Sequence, residues 1–358
     1  MRAELYRGLS LLLILVMLLS IQPPAYGEEV LLEEPAELQG PVPTEEAAEE
    51  EILPEAEQAT AWDEEHEIWI ENTEAFESAE ENTGADIRFL GCGLVLSDRI
   101  GLAFYLDVPE AYRVGSFMNF SGQGVERSCA IPDAPDGHGR YRFVCWLSPL
   151  ELARSITPTF VWGDLSVAGD ASSVREIIEA AEEESRRRDL LYALGNYGHF
   201  AELCFGRTEA EMPQYGEEGY DYDAIYAALS DQEMQWKGAG GIAQPVPLIR
   251  VDPAFRLVLS FGTLEDAGEK PAVTVYDAVI EPDENELFPL AAVYVNSFGT
   301  MLDADIEQGG AHAALKLSAL SLVRETLDPS GSCTPEQRDF CAALYTLYEA
   351  VRTWEAAG

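Results

Sequence analysis

The chain has 358 residues, of which 65 are Asp or Glu and 22 are Lys or Arg, so its formal net charge is −43. Such an acidic balance excludes nucleic acid and anionic lipid surfaces as favoured partners and leaves cations and basic molecules open. An apolar content of 47% is ample for a sizeable core.

Residues 1–27 read as an export signal. Arg2 and Arg7 precede an apolar run from Leu9 to Ile21, and Ala25 and Gly27 supply the small residues of a cleavage site. The run falls short of the roughly 20 residues that a spanning helix needs, and Pro23 and Pro24 follow it. Export is therefore expected, with a secreted or cell-surface mature chain that is not inserted in the membrane; an uncleaved anchor is the alternative.

Residues 28–86 hold 22 Asp and Glu with no Lys or Arg, and Pro35, Pro41, Pro43 and Pro54 are scattered among them. A segment of this composition buries too little apolar surface to offset its ordering entropy, which predicts a disordered acidic spacer. A short binding motif around Trp62, Ile68, Trp69 and Phe76 is the other reading. The remainder, about 270 residues, exceeds the size at which one core usually stops growing, so two units are expected.

Alternation marks Ile100, Leu102, Phe104 and Leu106 as one face of a strand, and Phe255, Leu257, Leu259 and Phe261 repeat it 155 residues on. Leu94 and Leu96 map in the same way onto Ile249 and Val251. Next come "YRFVCWLSPLELARSI" and "LFPLAAVYVNSFGTML", each an apolar strand running into a short helical segment. Helices follow: one capped by Ser173 with Glu176, one starting at Ser318, and a last one at Thr334-Pro335-Glu336-Gln337, where an N-cap, an N1 proline and a capping box coincide.

An offset of 150 sets Leu190 on Phe340, Ala193 on Ala343, Leu194 on Leu344 and Tyr197 on Leu347, an apolar helical stripe. The pattern predicts an α+β protein built as a tandem duplication. Residues 87–206 and 241–358 would each be an antiparallel sheet or small β-sandwich followed by a pair of packing helices. Residues 207–240 connect them, with a short helix around Asp223 to Trp236.

Six cysteines, at 92, 129, 145, 204, 333 and 341, allow fifteen disulfide pairings in an exported protein. A hairpin centred near Gly137 would set Cys129 opposite Cys145 and favours that bond; two unbridged thiols on a buried face are the alternative.

The segments "IGLAFYLDV", "YRFVCWL", "SVREII", "ALGNYGHFAELCFG", "LSALSLV" and "AALYTLYEA" together resemble a poorly characterised group of exported, cell-surface proteins from Gram-positive gut anaerobes. The resemblance spans most of 87–357 and implies export and a duplicated strand-plus-helix-pair domain; it assigns no residue a catalytic role. Leu203-Cys204 departs from it, a more polar or aromatic pair being usual there.

The stretch "DLLYALGNYGHFAELCFG" gathers Asn196, His199 and Glu202 on one helical side, where an acid-base constellation would have to lie. The second half has Thr346, Glu349 and Arg352 in their places, which favours a structural role on a half-exposed face. Gly195 and Gly198 cost helix propensity and so predict a smooth patch that seats a neighbouring element, the other repeat being one candidate. Asp221 with Asp223, and Asp283 with Glu284 and Glu286, are oxygen-rich enough for calcium but lack a recognised ligand spacing. No other cofactor is expected. The sequence as a whole points to a non-catalytic interaction protein for an extracellular polymer, carbohydrate or protein. A hydrolase with fold-assembled carboxylates and a structural spacer are the alternatives.

Overall fold

The computed structural model describes residues 67–72, 87–181, 186–216, 219–238, 242, 244–251, 254–261 and 270–357. The expected signal peptide, Trp62 and Phe76 lie outside the described residues. The first half runs β1 (Ile68–Asn72), β2 (Arg88–Leu96), β3 (Ile100–Asp107), β4 (Phe117–Gly122), β5 (Val125–Ala130), β6 (Tyr141–Leu147), β7 (Thr157–Trp162) and β8 (Leu165–Ala168). Helices α1 (Val174–Glu179) and α2 (Arg186–Cys204) close it. A connecting segment holds α3 (Tyr222–Ala228) and β9 (Gln235–Gly238). The second half runs β10 (Val246–Arg250), β11 (Arg256–Ser260), β12 (Ala272–Val275), β13 (Ala278–Ile280), β14 (Phe288–Ala292), β15 (Leu302–Gln308) and β16 (Ala311–Leu317), then α4 (Ala319–Leu327) and α5 (Pro335–Glu355).

The expected α+β class is borne out: the described strands form antiparallel sheets and the long helices follow them. In the first half the strand orders are β1-β2-β3-β6 and β5-β4-β7-β8. In the second half they are β10-β11-β14 and β13-β12-β15-β16-β9. Apart from the added edges β1 and β9, the two halves use the same order in the same sequence.

Local chemistry accounts for the elements. Ile100, Leu102, Phe104 and Leu106 all point inward and are at most 2% exposed, as their alternation requires. Ser173 and Thr334 each accept from the backbone N–H three residues on, and the Glu176 and Gln337 side chains return the bond, closing two capping boxes. Ser318 caps α4 with Ser321 as its reciprocal partner.

Three expectations are corrected. The acidic spacer is not wholly irregular, because Ile68, Trp69 and Ile70 carry β propensity and Ile68–Asn72 pairs with β2, Ile68 opposite Leu96. The connecting helix stops at Ala228; Gln235–Gly238 is instead an edge strand on β16, where the half-buried Trp236 sits opposite Leu315. The hairpin joining Cys129 to Cys145 does not form. Cys129 on β5 pairs across to Met118 on β4, Cys145 on β6 pairs to Leu102 on β3, and the intervening segment passes from one sheet to the other.

The first two sheets face each other, Phe104 meeting Phe120 at 5.7 Å and Phe143 meeting Phe160 at 6.1 Å between ring centroids. Separate cores were expected for the two halves, yet one apolar cluster runs through both. Fully buried Tyr197 on α2 lies 5.7 Å from Phe255 and 5.7 Å from Phe340 on α5. Backbone bonds cross as well: Phe255 N–H donates to the Asp98 carbonyl at 2.7 Å and Val295 N–H to that of Ser97 at 3.1 Å. Pairing apolar helix faces this way removes both from water at roughly 25 cal/mol per Å².

Candidate functional site

The two helical glycines seat the connecting segment rather than the second half. A Cβ on Gly195 would stand 2.5 Å from the Tyr215 ring, and one on Gly198 would stand 3.0 Å from a Leu152 methyl and 3.5 Å from Met212. The missing side chains thus let residues 211–215 lie across α2 as a strap. Tyr215 stacks on Tyr192 with centroids 5.1 Å apart, completing the seat.

Asn196, His199 and Glu202 then bind the strap's backbone, one turn after another. Asn196 Nδ2 donates to the Tyr215 carbonyl at 2.9 Å while its Oδ1 accepts from the Tyr215 N–H at 2.7 Å. His199 Nδ1 lies 2.7 Å from the Met212 carbonyl, a geometry that places the proton on Nδ1. Glu202 Oε2 accepts from the N–H groups of Glu211 and Met212. The helical side predicted to be half-exposed is so at Asn196 and His199, whereas Glu202 is covered: it is 0% exposed, and its carboxylate is balanced by Arg207 at 3.6 Å. With the Asn196 amide, His199 Nδ1 and Glu202 Oε2 all bonded to the strap's backbone, the trio is a clamp.

All six cysteines are free thiols. Burial pushes Cys129 up to about 12 and Cys145 up to about 11. Cys204 and Cys341 rise to about 12 for the same reason. A thiol held so far above neutrality is a poor nucleophile, because the thiolate is the reactive form.

Two of the carboxylates considered for calcium, Asp221 and Asp283, have structural work. Asp221 caps α3 by accepting from the Ala224 N–H at 3.0 Å. Asp283 accepts from the Asn285 and Leu287 N–H groups at 2.9 and 3.0 Å and pairs with Arg250. Burial raises its pKa, but the Arg250 bond and these two N–H donors outweigh it and hold the carboxyl below its ordinary value. Among the described residues no cluster of His, Cys, Asp and Glu is arranged to hold a metal ion.

Sequence reasoning missed the outer face of the β5-β4-β7-β8 sheet. Register places Ser128, Asn119, Thr159 and Ala168 in one row across it, with Ala130, Phe117, Val161 and Ser166 on one side and Glu126, Ser121 and Thr157 on the other. Rows lie about 6.8 Å apart along the strands and columns about 4.8 Å apart, a regular grid in which the hydroxyls of Ser121, Ser128, Thr157, Thr159 and Ser166 and the Asn119 amide stand among Phe117, Val161 and two alanines. Glu126 is its one ionisable side chain. Phe117 is 37% exposed within the grid, and Val114, just before β4, is 89% exposed.

The matching face in the second half is charged: Asp303, Asp305 and Glu307 from β15 oppose Lys316, Ala314 and His312 from β16. Lys316 reaches Asp303 at 3.9 Å there. Two sheets of the same strand order therefore differ in surface chemistry. A solvated face in so acidic a chain is ordinarily charged, as the second one is.

The chain matches no protein-family model and no curated protein. Among the described residues no helix is long and apolar enough to cross a membrane.

Proposed function

We propose that this is an exported, non-catalytic binding protein, secreted or held at the cell surface, whose β5-β4-β7-β8 face docks a neutral polysaccharide. The observation that carries the reading is the contrast between that face and the rest of the molecule. In a chain of net charge −43, Asn119, Ser121, Ser128, Thr157 and Thr159 offer hydrogen-bonding groups, and Phe117 offers a ring on which a sugar can stack. Neutral hydroxyl-rich chains are the polymers such a surface accepts without ionic repulsion. The apolar run and small-residue site of residues 1–27 support export. Matching strand order in the two halves supports a tandem duplication of residues 87–206 and 241–358 in which one copy kept a charged surface and the other became the binding face.

Co-sedimentation of the mature protein with insoluble neutral and acidic polysaccharides tests this. Retention by at least one neutral polymer is expected, and Asn119→Asp with Thr159→Asp should lower it at least tenfold with the fold intact. Failure to bind any neutral polymer, or equal binding by that variant, removes the reading.

A further inference from the structure

A second surface feature lies where the β4–β5 turn, the approach to β7, helix α1 and the strap meet. These elements border an open hollow of about 310 Å³ lined by Gln123, Ala153, Arg154, Arg175 and Glu211. The turn is pressed onto the chain before β7 so closely that a Cβ on Gly122 would stand 2.0 Å from the Ser155 carbonyl oxygen. Gln123 is held at φ +34 beside Gly124 at φ +87. A long side chain in the left-handed region is uncommon, since Asn or Gly meets the same turn at lower cost. Such backbone strain is concentrated at ligand sites.

Arg154 is the decisive residue. Its guanidinium lies against Gly124, with Nη1 3.6 Å from the position a Cβ would take there, and its side chain is 22% exposed. The carboxylate ion-paired with it, Glu151, is already engaged: Oε2 accepts from the Ser148 N–H at 2.8 Å and from Arg127 at 2.8 Å, while Oε1 stands 3.7 Å from Arg154, beyond a hydrogen bond. Among the described residues the guanidinium therefore keeps one ion pair, to Glu151, and donates no hydrogen bond. Arg175 commits its Nε to Glu179 at 2.8 Å. Glu211 on the opposite wall is paired with Arg207 at 2.9 Å.

We propose that this hollow binds the carboxylate of a small ligand or chain end, with Arg154 and Arg175 as its two cationic partners and Gln123 as a neutral one. The lining itself holds two guanidiniums and one carboxylate, with Glu151 and Glu179 beside the guanidiniums, so a monoanion suits the hollow whereas a phosphate dianion would meet three carboxylates. Charge-assisted bonds from guanidinium to carboxylate are about twice as strong as neutral ones and fix orientation. Carboxylates of this size come from acidic sugars and from amino acids or peptide ends. The proposal stands on residues separate from the β5-β4-β7-β8 grid, so either can fail alone.

Calorimetric titration of the mature protein with sodium glucuronate, glucose and alanine tests it at low salt. Binding of glucuronate or alanine, without glucose, is expected. Glucuronate alone assigns an acidic sugar, alanine alone an amino acid or peptide end. Arg154→Gln and Arg175→Gln should each weaken the bound probe at least tenfold with unchanged melting temperature and unchanged retention on neutral polysaccharide. Glu211→Gln should bind at least as tightly as the parent. Binding of neither carboxylate, or parental affinity in both arginine variants, overturns the proposal.

Discussion

Asn196 and Tyr215 are joined by two hydrogen bonds, side-chain amide to backbone N–H and C=O, at 2.7 and 2.9 Å. One side chain therefore satisfies both main-chain groups of a strap residue that has no secondary structure of its own. Truncation to Ala strands a donor and an acceptor, at about 1–3 kcal/mol. For a chain of this size each kcal/mol shifts the melting temperature by roughly 2–4 °C, so Asn196→Ala should melt several degrees lower. Asn196→Asp should do no better, because a carboxylate accepts from the N–H but faces the Tyr215 carbonyl with a second acceptor. Differential scanning calorimetry of the pair decides this; an Asp variant as stable as the parent would contradict the two-bond geometry.

The helical glycines should separate under substitution. In Gly195→Ala the new methyl meets the Tyr215 ring at 2.5 Å, and that ring is stacked on Tyr192 while Asn196 anchors the residue's backbone. In Gly198→Ala the first obstacle is the end of the Leu152 side chain at 3.0 Å, which can rotate, while Ala regains close to 1 kcal/mol of helix propensity. Gly195→Ala should therefore lower the melting temperature and Gly198→Ala should leave it near the parent. Gly198→Leu, too large for any local adjustment, should lower it by several degrees. Identical curves for all three would show that nothing is seated on the patch.

Much of the architecture was legible because it rests on local signals. Ser173-x-x-Glu176 and Thr334-Pro335-x-Gln337 each carry their own start signal, and the alternation of Ile100 to Leu106 has one register that buries all four residues. Partner choice was not local. The hairpin expectation for Cys129 and Cys145 treated neighbours in sequence as neighbours in a sheet, but each strand pairs with an earlier one because the inward faces must meet across a sandwich. For the same reason the burial of Glu202 is not legible in sequence: helical spacing tells which side Asn196, His199 and Glu202 share, not that residues 211–215 return to pack on it. The grid around Asn119 and the hollow around Arg154 depend wholly on such long-range placement. Only the scarcity of charge in "SFMNFSGQGVERSCA" could have pointed to the grid.

The cysteines offer a solution test of the strand pairing. Six free thiols, all raised by burial, predict negligible labelling by iodoacetamide in the native state at neutral pH. After unfolding without reductant, all six should label. A tryptic peptide carrying a Cys129 to Cys145 disulfide, found by non-reducing mass spectrometry, would contradict the free-thiol state.

Asp136 sets the acid limit of the loop before β6. Its Oδ1 accepts from the N–H groups of His138 and Arg140 at 2.9 Å each, and its Oδ2 from Arg140 Nε at 2.9 Å. Burial pushes its pKa up, but the Arg140 bonds and the His138 N–H outweigh this and leave it below the ordinary value of 3.8. A carboxyl depressed in the folded state binds its proton more readily when unfolded, so its contribution is complete above pH 3.8 and fades as pH falls through the lower folded value. Asp136→Asn should thus reduce stability at neutral pH and cancel part of the acid dependence, the two melting curves converging at low pH. The Arg140 guanidinium also lies 4.5 Å over the Tyr105 ring, so releasing it should loosen the outer face of the first sheet. Hydrogen exchange at residues 136–142, measured at neutral and acid pH in parent and variant, follows that loosening. Exchange that stays equally slow in the variant at neutral pH would show that Asp136 does not hold the loop.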